Sequence, residues 1–363
     1  VIAETLIENA VIITVDPRMG VLERGFVAVS DGIIAALGNG SSAEAGVTAR
    51  LRLDAGGGLV MPGLVNGHTH LPMVLFRGLA DDLALQDWLS GFIFPAEQRH
   101  ITHASVRAAT RLACAEMLLS GTTTCCDGYF FEDDVAGVLS DGGVRAVAGQ
   151  GVIDFPAPGV PDASRNVAHG AAFLDRRDRF GAMVAPSLFC HSPYTCSART
   201  IRAAKAAADR RGALLQIHVA ETRGEGAQIR EAGGRSPVAY LERLGVLDER
   251  TLLVHCVWAD RRDVETIAAS GAAVVHCPQS NMKLASGVAP LPELLAAGIP
   301  TALGTDGCAS NNDLDMFAEM DTAAKLHKAF RGDPTVTDAA AILRMATLGG
   351  AEALQMAERI GSL

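Results

Sequence analysis

The sequence predicts an α/β fold, a TIM (β/α)8 barrel preceded by a small β domain. Three observations carry this prediction. From residue 59 onward, apolar strand-like runs alternate with helical stretches rich in Ala, Leu, Arg and Glu. Eight such units fit into about 250 residues, the usual length of a TIM barrel. Residues 1–58 show strand patterns and turn signals with no helical periodicity. The expected domains are therefore 1–58, a small β unit, and 59–363, the barrel.

In chain order, residues 5–15 read as a strand closed by Asp16-Pro17. The runs 26–29 and 33–37 flank Asp31-Gly32 and read as a hairpin around a tight turn. Residues 50–54 form another short strand. The barrel strands are read at 59–65, 122–126, 144–153, 183–190, 214–219, 251–256, 272–277 and 301–303. Helices are read at 103–119, 199–211, 238–244, 262–269 and 291–297, then at 313–330 and 338–357. Gly121, Gly212, Gly245, Gly271 and Gly298 each follow a helix, where a C-terminal cap belongs. An open, doubly wound sheet is the alternative. It would want a glycine-rich phosphate loop after its first strand, and neither G-x-G-x-x-G nor a Walker pattern occurs.

With 49% hydrophobic and 20% charged residues, a sizeable core is expected. The net charge of −10, without a Lys/Arg cluster, argues against a nucleic-acid partner. No apolar run reaches membrane-spanning length, so no membrane partner is expected. Val1-Ile2-Ala3-Glu4 does not read as a signal peptide. The eight cysteines form no C-x-x-C pair and read as reduced, buried thiols of a cytoplasmic protein.

The chemistry is sought at the C-terminal ends of the strands, where barrels carry their active residues. The first strand ends His68-Thr69-His70. Side chains two apart on a strand share a face, so two imidazoles stand side by side. The fourth strand ends in His191, the fifth carries His218 and then Glu221, and the sixth ends in His255. The seventh ends in His276 and the eighth runs into Asp306. Each has a bland reading: a core histidine, a turn aspartate before Gly307, a solvated glutamate. Six of the ten histidines at one end of a barrel make those readings poor jointly, and a metal site is expected. His276 has no assignable role and is read as a core histidine. His100, His103, His169 and His327 are read as ordinary.

His68-Thr69-His70, His218, His255 and Thr305-Asp306 resemble the ligand and catalytic pattern of the amidohydrolase superfamily. The His218-x-x-Glu221 step, without a barrel lysine among the ligands, resembles its mononuclear deaminase branch. Pro72-Met73, Asp87-Trp88-Leu89, Pro95-x-Glu97, His191-Ser192-Pro193-Tyr194 and the run from Gly304 to Asn312 are similar to the S-adenosylhomocysteine and methylthioadenosine deaminases. Chlorohydrolases and triazine hydrolases share parts of this pattern.

The resemblance implies one divalent metal held by His68, His70 and His218, with Asp306 as a nearby or direct ligand. Zinc is the expected ion, and iron or manganese would accept the same donors. It further implies that Asp306 takes a proton from the attacking water and hands it to the leaving amine. Glu221 would protonate the adjacent ring nitrogen, and His255 would orient the water. Glu97 would hold ribose hydroxyls, Trp88 would wall the pocket, His191 would meet the sugar and Ser310 the purine. Arg165 would reach the amino-acid tail of S-adenosylhomocysteine. Family members that favour that substrate can carry an arginine where this chain has Gln150, which tilts the expectation toward methylthioadenosine or adenosine.

The small β domain is expected to be an incomplete β-sandwich, because family members continue with further strands after the position of Leu363. An exposed sheet edge follows, a known route to association, and a homo-oligomer is compatible with it. The expected partner is a small nucleoside. Two rivals stand beside this reading: hydrolysis of another heterocycle such as guanine, a pterin or a triazine, and a barrel scaffold without activity.

Overall fold

The computed structural model describes residues 1–231 and 234–363. The chain divides into two compact units, Val1–Gly63 with Met356–Leu363, and Leu64–Gln355.

The first unit is one five-stranded sheet. β1 (Ile2–Ile13) pairs antiparallel with β2 (Val21–Ser30), and β2 with β3 (Ile33–Asn39). β1 also runs parallel to β4 (Thr48–Asp54) and β5 (Leu59–Val60). The Asp31-Gly32 turn joins β2 to β3 as expected. Ala3, Leu6, Phe26 and Ala28 are buried together. The Leu363 N–H donates to the Thr14 carbonyl at 2.8 Å, so the last residues lie with this unit although their sequence reads as part of the barrel. Among the described residues, β3 and β4 each pair on one side only. Ile33 on β3 and Leu51 on β4 are 70% and 51% exposed.

The second unit is the barrel. Its eight strands are β6 (Leu64–Thr69), β7 (Thr122–Tyr129), β8 (Arg145–Val152), β9 (Val184–Cys190), β10 (Leu215–Val219), β11 (Thr251–His255), β12 (Ala273–His276) and β13 (Thr301–Leu303). They pair parallel and in chain order. β6, β10 and β11 are buried along their whole length, and besides apolar residues each carries buried polar ones, among them His68, His218 and His255 toward their C-terminal ends. The seam between last and first strand is joined by the Asp306 N–H, which donates to the His68 carbonyl at 2.9 Å. Glycine is required there. A Cβ on Gly304 would lie 2.8 Å from the His68 nitrogen, and one on Gly67 2.8 Å from the Ala302 side chain.

The helices begin and end where their caps dictate. Thr102 opens the helix His103–Leu119 with a capping box to Ser105. Asp260 caps Arg261–Ser270, which ends at Gly271 with φ of 77°. The helix expected at 338–357 is instead two, Ala339–Met345 and Leu348–Ala353. Thr347 breaks it: its φ and ψ of −134° and −96° leave the helical region, and its hydroxyl donates back to the Leu343 carbonyl at 2.6 Å. All eight cysteines are buried free thiols. Among the described residues, no helix is long and apolar enough to cross a membrane.

Candidate metal centre and substrate cavity

His68 and His70 leave the end of β6 on the same face. His218 arrives from β10, and Asp306 from the turn after β13. One donor atom from each of the four lies within 4.8 Å of the others. The Nε2 atoms of His68 and His218 are 3.1 Å apart. Asp306 Oδ1 is 3.2 Å from His70 Nε2 and 3.6 Å from His68 Nε2. All four residues are buried. Burial, followed by the neighbouring imidazoles, holds His68 and His218 well below the usual histidine range, so both are neutral with a lone pair to offer. His70 Nδ1 donates to the Gly128 carbonyl at 2.5 Å, which leaves its Nε2 as the ligand atom. Burial pushes the Asp306 carboxyl up, but the imidazoles of His70, His255 and His218 and the Ser280 hydroxyl overcome it and bring it to about 2. Three neutral nitrogens and one carboxylate form a borderline-soft donor set that fits one divalent cation.

Asp306 is held firmly. Ser280 and Ser310 donate to Oδ2 at 2.7 and 3.0 Å, and the Gly307 N–H donates to Oδ1 at 2.7 Å. Its φ of 62° is left-handed, as are those of His255 (76°) and Ala220 (52°). Such strain in non-glycine residues gathers at sites where geometry is imposed by the surroundings. His255 sits beside the set, with Nδ1 donating to Asn281 Oδ1 at 2.9 Å. Its Nε2 is 3.9 Å from both Glu221 Oε2 and Asp306 Oδ2. Burial raises the Glu221 carboxyl above its ordinary range, the nearby His255 opposing.

A cavity opens onto this centre. His70, His218, Glu221, His255, Asp306, Trp88, Glu97, His191 and Ser310 all line it. Glu97 accepts a hydrogen bond from the Tyr129 hydroxyl at 2.6 Å, and burial pushes its carboxyl up to about 7. Among the described residues, the buried Trp88 Nε1 has no hydrogen-bond partner. His191 Nδ1 lies 2.9 Å from Thr195 Oγ1, and burial brings its imidazole down to about 3.

Arg165 is not brought to this cavity; it lines a separate cleft with Asp162 and His169. The reason is local: it precedes the helix Asn166–Leu174, beyond the end of β8, in an exposed turn. Gln150 is buried away from the cavity, accepting from the Glu132 N–H and donating to the Gly151 carbonyl, both at 3.3 Å. His276 faces away from the centre and pairs with His327, Nε2 to Nε2, at 3.0 Å.

Sequence reasoning missed Ser280, Asn281 and Asp127. Asp127 Oδ1 accepts from the Thr69 hydroxyl and the Leu71 N–H, both at 2.7 Å, and so pins the segment carrying His70. The available signal was a set of polar residues at and just after the ends of apolar strands, Cys126-Asp127-Gly128 within β7 and Gln279-Ser280-Asn281 in the helix that follows β12.

A model of the amidohydrolase family matches residues 59–363. A 5-methylthioadenosine/S-adenosylhomocysteine deaminase of Syntrophobacter fumaroxidans is 47% identical over 361 residues, 99% of this chain and 82% of the relative. A 5'-deoxyadenosine deaminase of Methanosarcina barkeri is 42% identical over 97% of this chain and 80% of its own length. Among solved structures, an adenosine deaminase from Xanthomonas campestris with bound zinc superposes with a TM-score of 0.96 at 41% identity, over 99% of this chain and 82% of that one.

Proposed function

The chain belongs to the amidohydrolase family, and from that premise we propose that it is a metal-dependent deaminase that replaces the 6-amino group of an adenine nucleoside by a carbonyl. The supporting observation is a single cavity lined at once by ligand residues, by Glu221 and His255, and by the buried carboxyl of Glu97. A free base offers Glu97 no diol to hold. The similarity to relatives named for methylthioadenosine, S-adenosylhomocysteine, 5'-deoxyadenosine and adenosine supports the same reading.

In this reading His68, His70, His218 and Asp306 hold one divalent ion, zinc by preference. When bound, such an ion lowers the pKa of a coordinated water to about 7. Asp306, ionised and braced by Ser280, Ser310 and Gly307, takes the proton of the attacking water and later passes it to the leaving amine. His255, its Nδ1 committed to Asn281, presents Nε2 toward the same space and orients the water. Glu221, whose carboxyl burial raises above its ordinary range, is the group that delivers a proton to the ring nitrogen next to the carbon under attack. Water and nucleoside give the 6-oxo product and ammonia.

Glu97 receives the ribose hydroxyls and His191 meets the sugar. Trp88 walls the pocket and Ser310 lines it where the base would lie. Among the described residues no lysine or arginine lines the cavity, so the carboxylate of an amino-acid tail has no cationic partner. This favours methylthioadenosine, 5'-deoxyadenosine or adenosine over S-adenosylhomocysteine. The eight unpaired thiols support a cytoplasmic setting.

An ammonia-release screen of the zinc-loaded protein tests the assignment with these four nucleosides, guanine and cytosine. Turnover of the nucleosides is expected. Activity confined to free bases would overturn it.

A further inference from the structure

Glu225 is a buried glutamate that the mechanism above does not use. It is 2% exposed and does not line the cavity, so substrate does not reach it. It sits in the first turn of the helix Arg223–Glu231, directly after the end of β10. Its two oxygens are divided between two neighbouring backbone donors. Oε1 accepts from the Ala220 N–H at 2.9 Å, and Oε2 accepts from the Glu221 N–H at 3.0 Å.

Those two N–H groups have left the strand ladder, and buried donors without partners are costly. Ala220 is also in the left-handed region, with φ of 52°, a conformation that an alanine abandons unless its neighbours hold it. The Ala220 carbonyl is fixed from the other side by the Trp258 N–H at 2.8 Å. Among the described residues, the Glu221 side chain has long polar contacts alone, 3.4 Å from the Ser286 hydroxyl and 3.9 Å from His255. The direction in which Glu221 points is thus set chiefly by its backbone, and its backbone by Glu225.

We propose that Glu225 is a positioning residue for deamination: by holding the Ala220–Glu221 backbone with both carboxylate oxygens, it aims the Glu221 carboxyl at the substrate ring. The inference rests on the deaminase reading only through the role given to Glu221. A glutamine at 225 keeps the size of the side chain but offers one acceptor and one donor. It therefore leaves one of the two backbone N–H groups facing another N–H.

The test is a double-mutant cycle on the zinc-loaded full chain, with single-turnover rates on methylthioadenosine. Glu225→Gln is expected to lower kcat by roughly 10- to 100-fold, the range of a misplaced catalytic group, with KM within about threefold and zinc content unchanged. In a Glu221→Gln background the same change is expected to cost less than about threefold, because its effect travels through Glu221. Equal losses in both backgrounds, or a loss that tracks zinc content or KM, would overturn the proposal. If Glu225→Gln does not fold, Glu225→Asp, shorter by one methylene, must give the same coupling. A parent protein inert on every adenine nucleoside would refute the deaminase reading instead. Amide hydrogen exchange then decides the positioning role on its own: Glu225→Gln must lower protection at Ala220 and Glu221, and unchanged protection there refutes it.

Discussion

Glu97 links the electrostatics of the cavity to a measurable pH dependence. Its carboxyl is 4% exposed, and burial pushes it from an ordinary value of 4.5 up to about 7, the Tyr129 hydroxyl opposing. If the ionised form holds the ribose diol, the competent fraction of free enzyme is about one tenth at pH 6 and about nine tenths at pH 8. KM for methylthioadenosine should therefore fall about tenfold across that interval. The control is 2',3'-dideoxyadenosine, which has no diol and should not share this limb. Glu97→Gln should flatten the limb and raise KM by about 10- to 100-fold, the weight of a charged hydrogen bond at 1.5–3 kcal/mol. Stability should move the other way. The folded-state pKa lies above the unfolded one, so folding favours the protonated form. The cost of ionising Glu97 is absent below 4.5, grows as pH rises to about 7, and reaches about 3 kcal/mol at about 1.4 kcal/mol per pH unit. Glu97→Gln should thus raise Tm at pH 8 and leave it nearly unchanged at pH 4. A flat KM profile for the parent, or an identical limb with the dideoxy compound, would refute the assignment of Glu97.

Four further outcomes follow from the geometry. His70→Ala and Asp306→Asn should each weaken zinc binding at least about tenfold in a chelator competition, since the first removes a donor from a set spanning 4.8 Å and the second its only negative charge. Chelation of the parent should lower its Tm, and saturating zinc should restore it. Asn281→Ala frees the Nδ1 of His255 and should lower kcat by about 10-fold or more while zinc stoichiometry holds, because only the orientation of that ring is lost. Gly304→Ala places a methyl 2.8 Å from the His68 nitrogen at the barrel seam; urea unfolding should show a loss of about 1–3 kcal/mol.

Much of this molecule was legible in the chain. The βα rhythm foretold eight strands because parallel strands buried on both faces must be continuously apolar. His68 and His70 could be paired because two residues apart on a strand means one face. His218, Glu221, His255 and Asp306 stood out as polar residues where apolar strands end. The helix at 338–357 was misread because nothing local announces that the Thr347 hydroxyl turns back on its own helix. Arg165 lines a separate cleft, and the direction of an exposed turn is not written in its residues.

What the chain alone determined is the periodic pattern, and with it the order of the strands and the set of side chains available at their ends. What only the folded barrel decided is their distance from one another. His68 and His218 are 150 residues apart in the chain and 3.1 Å apart in space. So too with the supports: Asp127 under Thr69, Asn281 behind His255 and Glu225 beneath Glu221. A hydrogen bond depends on angstroms and angles, and those arise only when eight strands close into a ring. Hydrophobic periodicity is a property of neighbours along the chain and can be read before any ring exists.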